Sequence, residues 1–435
     1  MTESGSRAAR SPRRFALLKQ AVHSFVEMTR RPLCFCFCCG LLALAPAALR
    51  ADDLLTRAQD ALSFTAFDDE VRARFSGLLE LEVYHIGHPA PGLLRTYSTN
   101  LFNPDLDLFF DAQIGPHVYL FAQADLGRGF DPSDHGGRLL AEEYAVRITP
   151  WDSGILNVEL GRFATKAGNW AARHDAWDNP FITAPLPYEN VTRVSDHYAP
   201  FSSTTFAAAR PGPKYSHNPV IWGPVYATGA AVTGRAGAFD YAAEVKNAAP
   251  SSRPEAWSAT ETGFDHPTIT TRLGWRPDVS WNLGVSASEG PYFLPEAART
   301  LPPGRGLGDY REEVLGQDIS FAWHHWQLWA EVYEARFQVP RVGDANTVAW
   351  YVEAKYKFTA QLFGALRWNQ QLFGDVPNGA GGSTPWGGDV WRMDVAAGWR
   401  FSAATQLKVQ WSLQHDPSRA TGVTNLLAAQ FVVRF

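Results

Sequence analysis

From residue 77 to the end of the chain, apolar and polar side chains alternate with a period of two. Between Asp105 and Ile114, Leu106, Leu108, Phe110, Ala112 and Ile114 fall on one face. Asp107, Asp111 and Gln113 fall on the other. Val118, Leu120, Ala122, Ala124 and Leu126 repeat the pattern. So do Trp350, Val352, Ala354, Tyr356 and Phe358, opposite Tyr351, Glu353, Lys355 and Lys357. Leu407, Val409, Trp411 and Leu413 stand opposite Lys408, Gln410, Ser412 and Gln414. Such alternation marks extended strands with one apolar and one polar face. It predicts sixteen strands, near residues 77–86, 105–114, 118–127, 138–149, 156–164, 220–234, 239–247, 267–276, 279–288, 312–323, 326–338, 346–358, 361–373, 390–401, 405–415 and 424–435.

Period alone does not separate a soluble sandwich from a membrane barrel; strand length does better. Soluble strands average about 5–6 residues, whereas a tilted membrane-spanning strand needs about 9–11, and most of these segments reach that length. The connections also alternate. Short ones, such as Gly115-Pro116-His117, Pro277-Asp278, His324-His325 and Thr359-Ala360, are interleaved with long ones at 87–104, 128–137, 165–219, 248–266, 289–311 and 374–389. Short turns at one end and longer loops at the other are the asymmetry of an outer-membrane barrel. Trp275, Trp281, Trp323, Trp326, Tyr356, Phe358, Trp399 and Phe401 cluster beside the short turns, where a lipid–water interface favours amphipathic rings. Ring packing inside a sandwich would instead favour strand centres.

The N-terminal region reads differently. Arg30 and Arg31 precede an apolar run, Pro32 to Leu49, that ends in small residues at Ala47, Ala48 and Ala51. This is the layout of a secretory signal. Residues 1–51 are therefore expected to be an N-terminal extension and signal peptide, with the true start at Met28. All four cysteines, Cys34, Cys36, Cys38 and Cys39, lie inside it, so they are not expected to form a metal site. Residues 52–76 are expected to form a periplasmic segment with a short helix over 54–62, and 77–435 the barrel. Cleavage after Ala51 would leave 31 basic and 42 acidic residues. An acidic mature chain is a poor nucleic-acid binder.

The chain ends Ala429-Gln430-Phe431-Val432-Val433-Arg434-Phe435. A final amphipathic strand with a terminal Phe resembles the C-terminal strand that barrel-assembly machinery reads in outer-membrane proteins. The layout as a whole resembles the sixteen-stranded porins of Gram-negative bacteria, general or phosphate-selective. Leu160-Gly161-Arg162-Phe163 and Phe358-Thr359-Ala360-Gln361-Leu362-Phe363-Gly364 look like hairpin segments of that superfamily. In that family the third outer loop, after strand five, folds into the barrel and narrows it. Here the third long connection, 165–219, is the longest and follows the fifth expected strand. The resemblance implies an all-β transmembrane antiparallel barrel and passive diffusion of small hydrophilic solutes or ions. It also implies a setting in outer-membrane lipid and lipopolysaccharide, and a homotrimer. It carries over no substrate-binding set.

If the loop narrows the barrel, Lys166, Arg173, Asp175, Asp178, Glu189, Arg193, Asp196 and Arg210 are candidates for the constriction. Facing charges there would orient polar solutes and set ion preference. On the polar faces of the strands, Asp107, Asp111, Glu353, Lys355, Arg367, Arg392 and Arg400 are candidates to line the lumen. Acids and bases on those faces balance closely, so sequence alone favours neither cations nor anions. Tyr119, Phe121, Trp329, Tyr333 and Tyr351 share the same phase and could stack on sugars or simply fill space. No cofactor or metal is expected. An enzyme would need a nucleophile, a base and an orienting group within reach. The histidines carry no G-x-S-x-G or H-E-x-x-H motif, so no catalytic residue is assigned. An adhesive or structural barrel without conductance remains the other alternative.

Overall fold

The computed structural model describes residues 55–88, 90, 92–94, 96, 98–127, 138–208, 217–253, 264–415 and 422–435. The expected signal region, Met28 included, lies outside the described residues, as does Arg210.

Sixteen long strands carry the fold. The first eight are β1 Val71–Ile86, β2 Asn100–Ile114, β3 Val118–Gly127, β4 Arg138–Ile148, β5 Asn157–Phe163, β6 Ala227–Ala236, β7 Phe239–Lys246 and β8 Thr268–Trp275. The rest are β9 Trp281–Pro291, β10 Arg311–Trp323, β11 Trp326–Val339, β12 Gly343–Lys357, β13 Leu362–Phe373, β14 Val390–Arg400, β15 Thr405–His415 and β16 Val423–Arg434. Each overlaps one strand that the alternation predicts. Each pairs antiparallel with its sequence neighbour, and β16 pairs with β1, from Leu426 opposite Ile86 to Arg434 opposite Leu78. The sheet is therefore a closed barrel. Closure leaves no edge of unpaired N–H and C=O groups, the condition for strands to cross hydrocarbon.

The seam closes tightly at one point. Gly77 N–H donates to the Phe435 carbonyl at 2.9 Å, and Phe435 N–H donates back at 3.0 Å. A Cβ at Gly77 would collide with the Phe435 ring.

Several boundaries differ from the expected ones. β1 begins at Val71, not 77, because Val71 to Ser76 continue the ladder against Ile114 to Phe109. The barrel thus starts inside the stretch expected to be a separate N-terminal segment. Of that stretch, residues 55–61 are helical, and Ser63–Ala66 forms a short strand against Val71–Arg74. β2 begins at Asn100, since Asn100 to Pro104 also pair with β1. β6 begins at Ala227 rather than 220, because Val220, Ile221 and Val225 bury themselves in loop packing instead of joining the ladder. The third long connection therefore runs over 164–226. The connection expected over 339–345 contracts to 340–342, since β11 and β12 pair up to Val339 opposite Gly343.

The two faces of the strands settle the choice between sandwich and membrane barrel. Leu81, Leu108, Leu315, Val352, Leu366 and Val395 are exposed, whereas Glu353, Arg367, Asn369, Asp394, Gln406 and Lys408 are fully buried. A soluble sandwich has the opposite arrangement. An exposed apolar wall suits lipid. Trp275, Trp281, Trp323, Trp326, Phe358 and Trp399 are exposed at strand ends, beside the short turns.

Candidate functional site

The long connection 164–226 is held against the buried polar face of the barrel by a chain of alternating charges. Arg173 Nη1 lies 2.7 Å from Glu353 Oε1 on β12. Glu353 is 3.6 Å from Arg367 on β13, and Arg367 Nε is 2.8 Å from Asp394 on β14. Arg392 Nε is 3.0 Å from the other Asp394 oxygen, and its guanidinium pairs with Glu189, back on the connection. Three guanidiniums and three carboxylates alternate, so the chain is neutral. Each charge would be costly to bury alone. Here every one has an opposite neighbour.

Backbone groups of the connection are satisfied by the same wall. Lys408 Nζ donates to the carbonyls of Ala176, Asn179 and Phe181 at 2.7, 3.0 and 3.2 Å. Arg367 Nη2 donates to Thr183 O at 2.8 Å, and its guanidinium stacks 4.2 Å from the Phe181 ring. Gln410 Oε1 accepts from Ile182 and Thr183 N–H groups. A buried connection needs such partners for its peptide groups. Gly168, at φ +74°, approaches Glu331 and Tyr333 so closely that a Cβ would collide with the Tyr333 hydroxyl. Tyr188 O–H donates to Glu331 at 2.6 Å. Burial, and then the Glu331 carboxylate, push the Tyr188 phenol well above its ordinary range and keep it a donor.

These contacts show where the described candidate constriction residues lie. Lys166 Nζ pairs with Glu159 of β5 at 2.8 Å, and Arg147 pairs with the same carboxylate. Arg173 and Glu189 are the ends of the charge chain, and Arg173 also stacks 4.3 Å from the Trp329 ring. Arg193 donates to the Ala207 carbonyl. Asp196 is fully buried, 3.4 Å from His197 and 3.8 Å from Arg253. Burial raises its carboxyl pKa, against the pull of its two neighbours. Asp175 sits 3.4 Å from His174, whose Nε2 lies 2.8 Å from Tyr226 Oη. Asp178 is exposed.

The candidates on the strands divide by region. Glu353, Arg367 and Arg392 belong to the charge chain. Lys355 lies 4.4 Å from the Phe363 ring, and Arg400 and Arg434 face the Trp177 ring from 5.0 and 4.2 Å. Asp111 accepts from Tyr119, and Asp107 accepts from the Gln123 amide at 3.1 Å. Of the aromatic candidates, Tyr333 and Tyr351 are fully buried under the connection and bonded to it.

Two neighbouring cavities remain where the connection does not fill the polar face. One, of about 620 Å³, is bounded by β2–β4, β8–β11 and residues 164–175, with Phe109, Tyr119, Arg147 and Arg276 among its walls. The second, of about 170 Å³, lies between β1–β4 and residues 174–182. Gln123, His174 and Asp175 line both.

The second cavity brings in acids absent from the candidates above: Glu80, Glu82, Asp105 and Glu142. Glu80 and Glu82 were legible, since they alternate with Leu79, Leu81 and Val83. Glu142 was not. It follows one residue before Glu143, and strict alternation puts only one of the two on the polar face. The ladder between β3 and β4 shifts register at Gln123/Ala124, so a β-bulge forms at Glu142. A bulge re-aims a side chain. The Gln123 amide reaches Glu142 at 2.9 Å.

No family model matches the sequence, and no curated protein does. Solved structures match in fold. OmpF of Salmonella typhi, in complex with daunomycin, is 13% identical with a TM-score of 0.54, over 86% of this chain and 100% of that one. The outer membrane channel DcaP of Acinetobacter baumannii is 10% identical with a TM-score of 0.54, over 86% and 99%. The anion-selective porin from Comamonas acidovorans is 9% identical with a TM-score of 0.51, over 84% and 99%. The closed barrel and these neighbours make the fold that of the porins. At such identities the likeness is one of fold alone.

Proposed function

We propose that this protein is a porin of the bacterial outer membrane, giving passive diffusion of small hydrophilic solutes or ions, and not an enzyme. In this reading the polar faces line a lumen, and residues 164–226 fold into it as the constriction. The observation that carries the reading is the charge chain from Arg173 to Glu189. It ties the connection to β12–β14 at both ends, and the neighbouring cavities persist along β1–β4. A rigidly held obstruction beside an open polar route narrows a barrel without closing it. A barrel of this strand number is wide enough for water.

The apolar outer wall would meet outer-membrane lipid and lipopolysaccharide after export and signal cleavage. The last strand, ending in Phe435, would be the element read by the assembly machinery. The same wall would let three copies associate.

Liposome swelling tests this reading. Vesicles containing the refolded chain 52–435 should swell in small sugars, at rates that fall steeply with solute size. Folded protein in the vesicles with no swelling in any solute would contradict it.

A further inference from the structure

We infer that the narrow part of the route selects cations, and that a wall of carboxylates on β1–β4 does the selecting. The inference rests on the channel reading above and specifies its solute class.

The buried acids of the barrel are met in different ways. Glu159, Asp240, Asp318, Glu353 and Asp394 each sit within ion-pair distance of an arginine. Glu312 on β10 and Glu331 on β11 are instead met by Ser251 and by Tyr188 with the Asn169 and Trp170 N–H groups. On β1–β4 the acids crowd one another. Among the described residues, Glu80, Glu82, Asp105, Asp107 and Glu142 have no Lys or Arg within that distance. With Asp125, all five line the cavity of about 170 Å³, whose lining contains neither Lys nor Arg among the described residues.

The strand register sharpens the contrast. Glu80 stands directly opposite Asp105, and Asp107 directly opposite Asp125. Like charges opposite one another on neighbouring strands destabilise a sheet. Two such pairs side by side break a local rule, and such breaks concentrate at functional sites. A passing cation would relieve the repulsion.

A second, independent observation points the same way. Gln430 is 2% exposed and lines this cavity. Its amide nitrogen is fixed between Glu80 and Glu82, at 2.7 and 2.6 Å. That fixes the orientation of the amide, and its buried oxygen has no hydrogen-bond partner. Asp105 Oδ1 is likewise buried without a partner. The cavity therefore offers acceptors and asks for a positive or donating guest. Among the described residues no three His, Cys, Asp or Glu side chains converge to hold a metal ion. The guest is accordingly a mobile small cation, not a ligated metal.

Lys408 stands on the same side of the barrel, opposite Gln430 of β16, which is opposite Glu82 of β1. Its ammonium is taken up by the carbonyls of Ala176, Asn179 and Phe181, which with Ile182 form the inner side of the cavity. In the wider cavity each base has an acidic partner: Arg147 and Lys166 share Glu159, Arg272 and Arg276 share Asp240, and Arg272 also meets Asp318. Rings of acidic side chains favour cations in a pore, and the acids gathered here are the feature that would set the preference.

The test is the reversal potential of single channels under a KCl gradient, using the chain 52–435. The wild type should show cation preference. D105N combined with E142Q should lower the cation-over-anion permeability ratio about twofold or more. The chain contains no cysteine beyond Cys39, so D105C supplies a unique thiol. Once mass spectrometry confirms modification, a positively charged thiosulfonate reagent should shift the reversal potential toward anions, and a negatively charged one back toward cations. Both readings come from one folded channel, so misfolding cannot mimic them. Clear conductance steps with anion preference or none, or a reversal potential indifferent to both reagents, would overturn the inference and leave the channel reading standing. No steps from the wild type would overturn the channel reading, and this inference with it.

Discussion

Arg173 and Glu353 are 180 positions apart in sequence and 2.7 Å apart in space. One belongs to the long third connection and the other to the polar face of β12. Arg173 also donates to Tyr351 Oη at 3.1 Å, so a single guanidinium fixes the connection to two residues of one strand. Glu353 passes the contact on to Arg367. The connection is thereby tied to the polar face of β12 and is not a loose appendage.

Arg173→Met should uncouple the two. Removing one partner of a buried pair leaves an uncompensated charge, at a cost of about 3–5 kcal/mol. Arg367 still faces Glu353, which places the loss at the low end of that range. The expected result is a barrel that folds but carries a mobile constriction. Single-channel traces should show more open-state noise and more frequent sublevels than the wild type. Identical traces would show that Arg173 does not hold the constriction.

Gly77→Leu should impair closure. The side chain would meet the Phe435 ring at the point where β1 and β16 exchange two backbone hydrogen bonds. Overpacking costs about 1–3 kcal/mol in ordinary cores. At the seam it also displaces the terminal ring. The heat-resistant compact band on an unboiled gel should be largely lost, and Gly77→Ala should lose less of it.

The lipid-facing wall can be probed by depth. Val352 is exposed near the middle of β12, and Phe358 is exposed just beyond its end. An arginine at the midplane of such a wall costs about 2–4 kcal/mol, and near the interface about 0–1 kcal/mol. Val352→Arg should therefore lower folded stability in bilayers by clearly more than Phe358→Arg. Equal effects in denaturant titrations would place the membrane elsewhere.

Most of the barrel was legible because alternation is a local signal, and lipid on one side with polar packing on the other reinforces it along every strand. What local signals miss is visible in particular residues. Val71 to Ser76 alternate too, but they follow a short strand and a turn, and only the partner strand β2 shows that the ladder continues. Glu142 was hidden by a bulge. The candidate charges were identified one by one, yet their pairing is tertiary. Counting acids and bases on polar faces gives near balance. Among the described residues, the structure sets an arginine beside each of Glu159, Asp240, Asp318, Glu353 and Asp394, and no Lys or Arg within ion-pair distance of Glu80, Glu82, Asp105, Asp107 or Glu142. That segregation depends on which strands face which part of the connection, and no period along the chain encodes it.

Shortening the connection should widen the route. Replacing residues 170–210 with a brief Gly-Ser linker removes Arg173 and Glu189, and with them both ends of the charge chain. Conductance should rise and ion preference should weaken. An unchanged conductance would mean that the narrowest point lies elsewhere.

The most direct test of the central claim is single-channel recording of the refolded chain 52–435 in a planar bilayer. Discrete, stable, ohmic steps are expected from protein that runs as a heat-modifiable barrel. Barrels that insert in that folded form and never conduct would contradict the account.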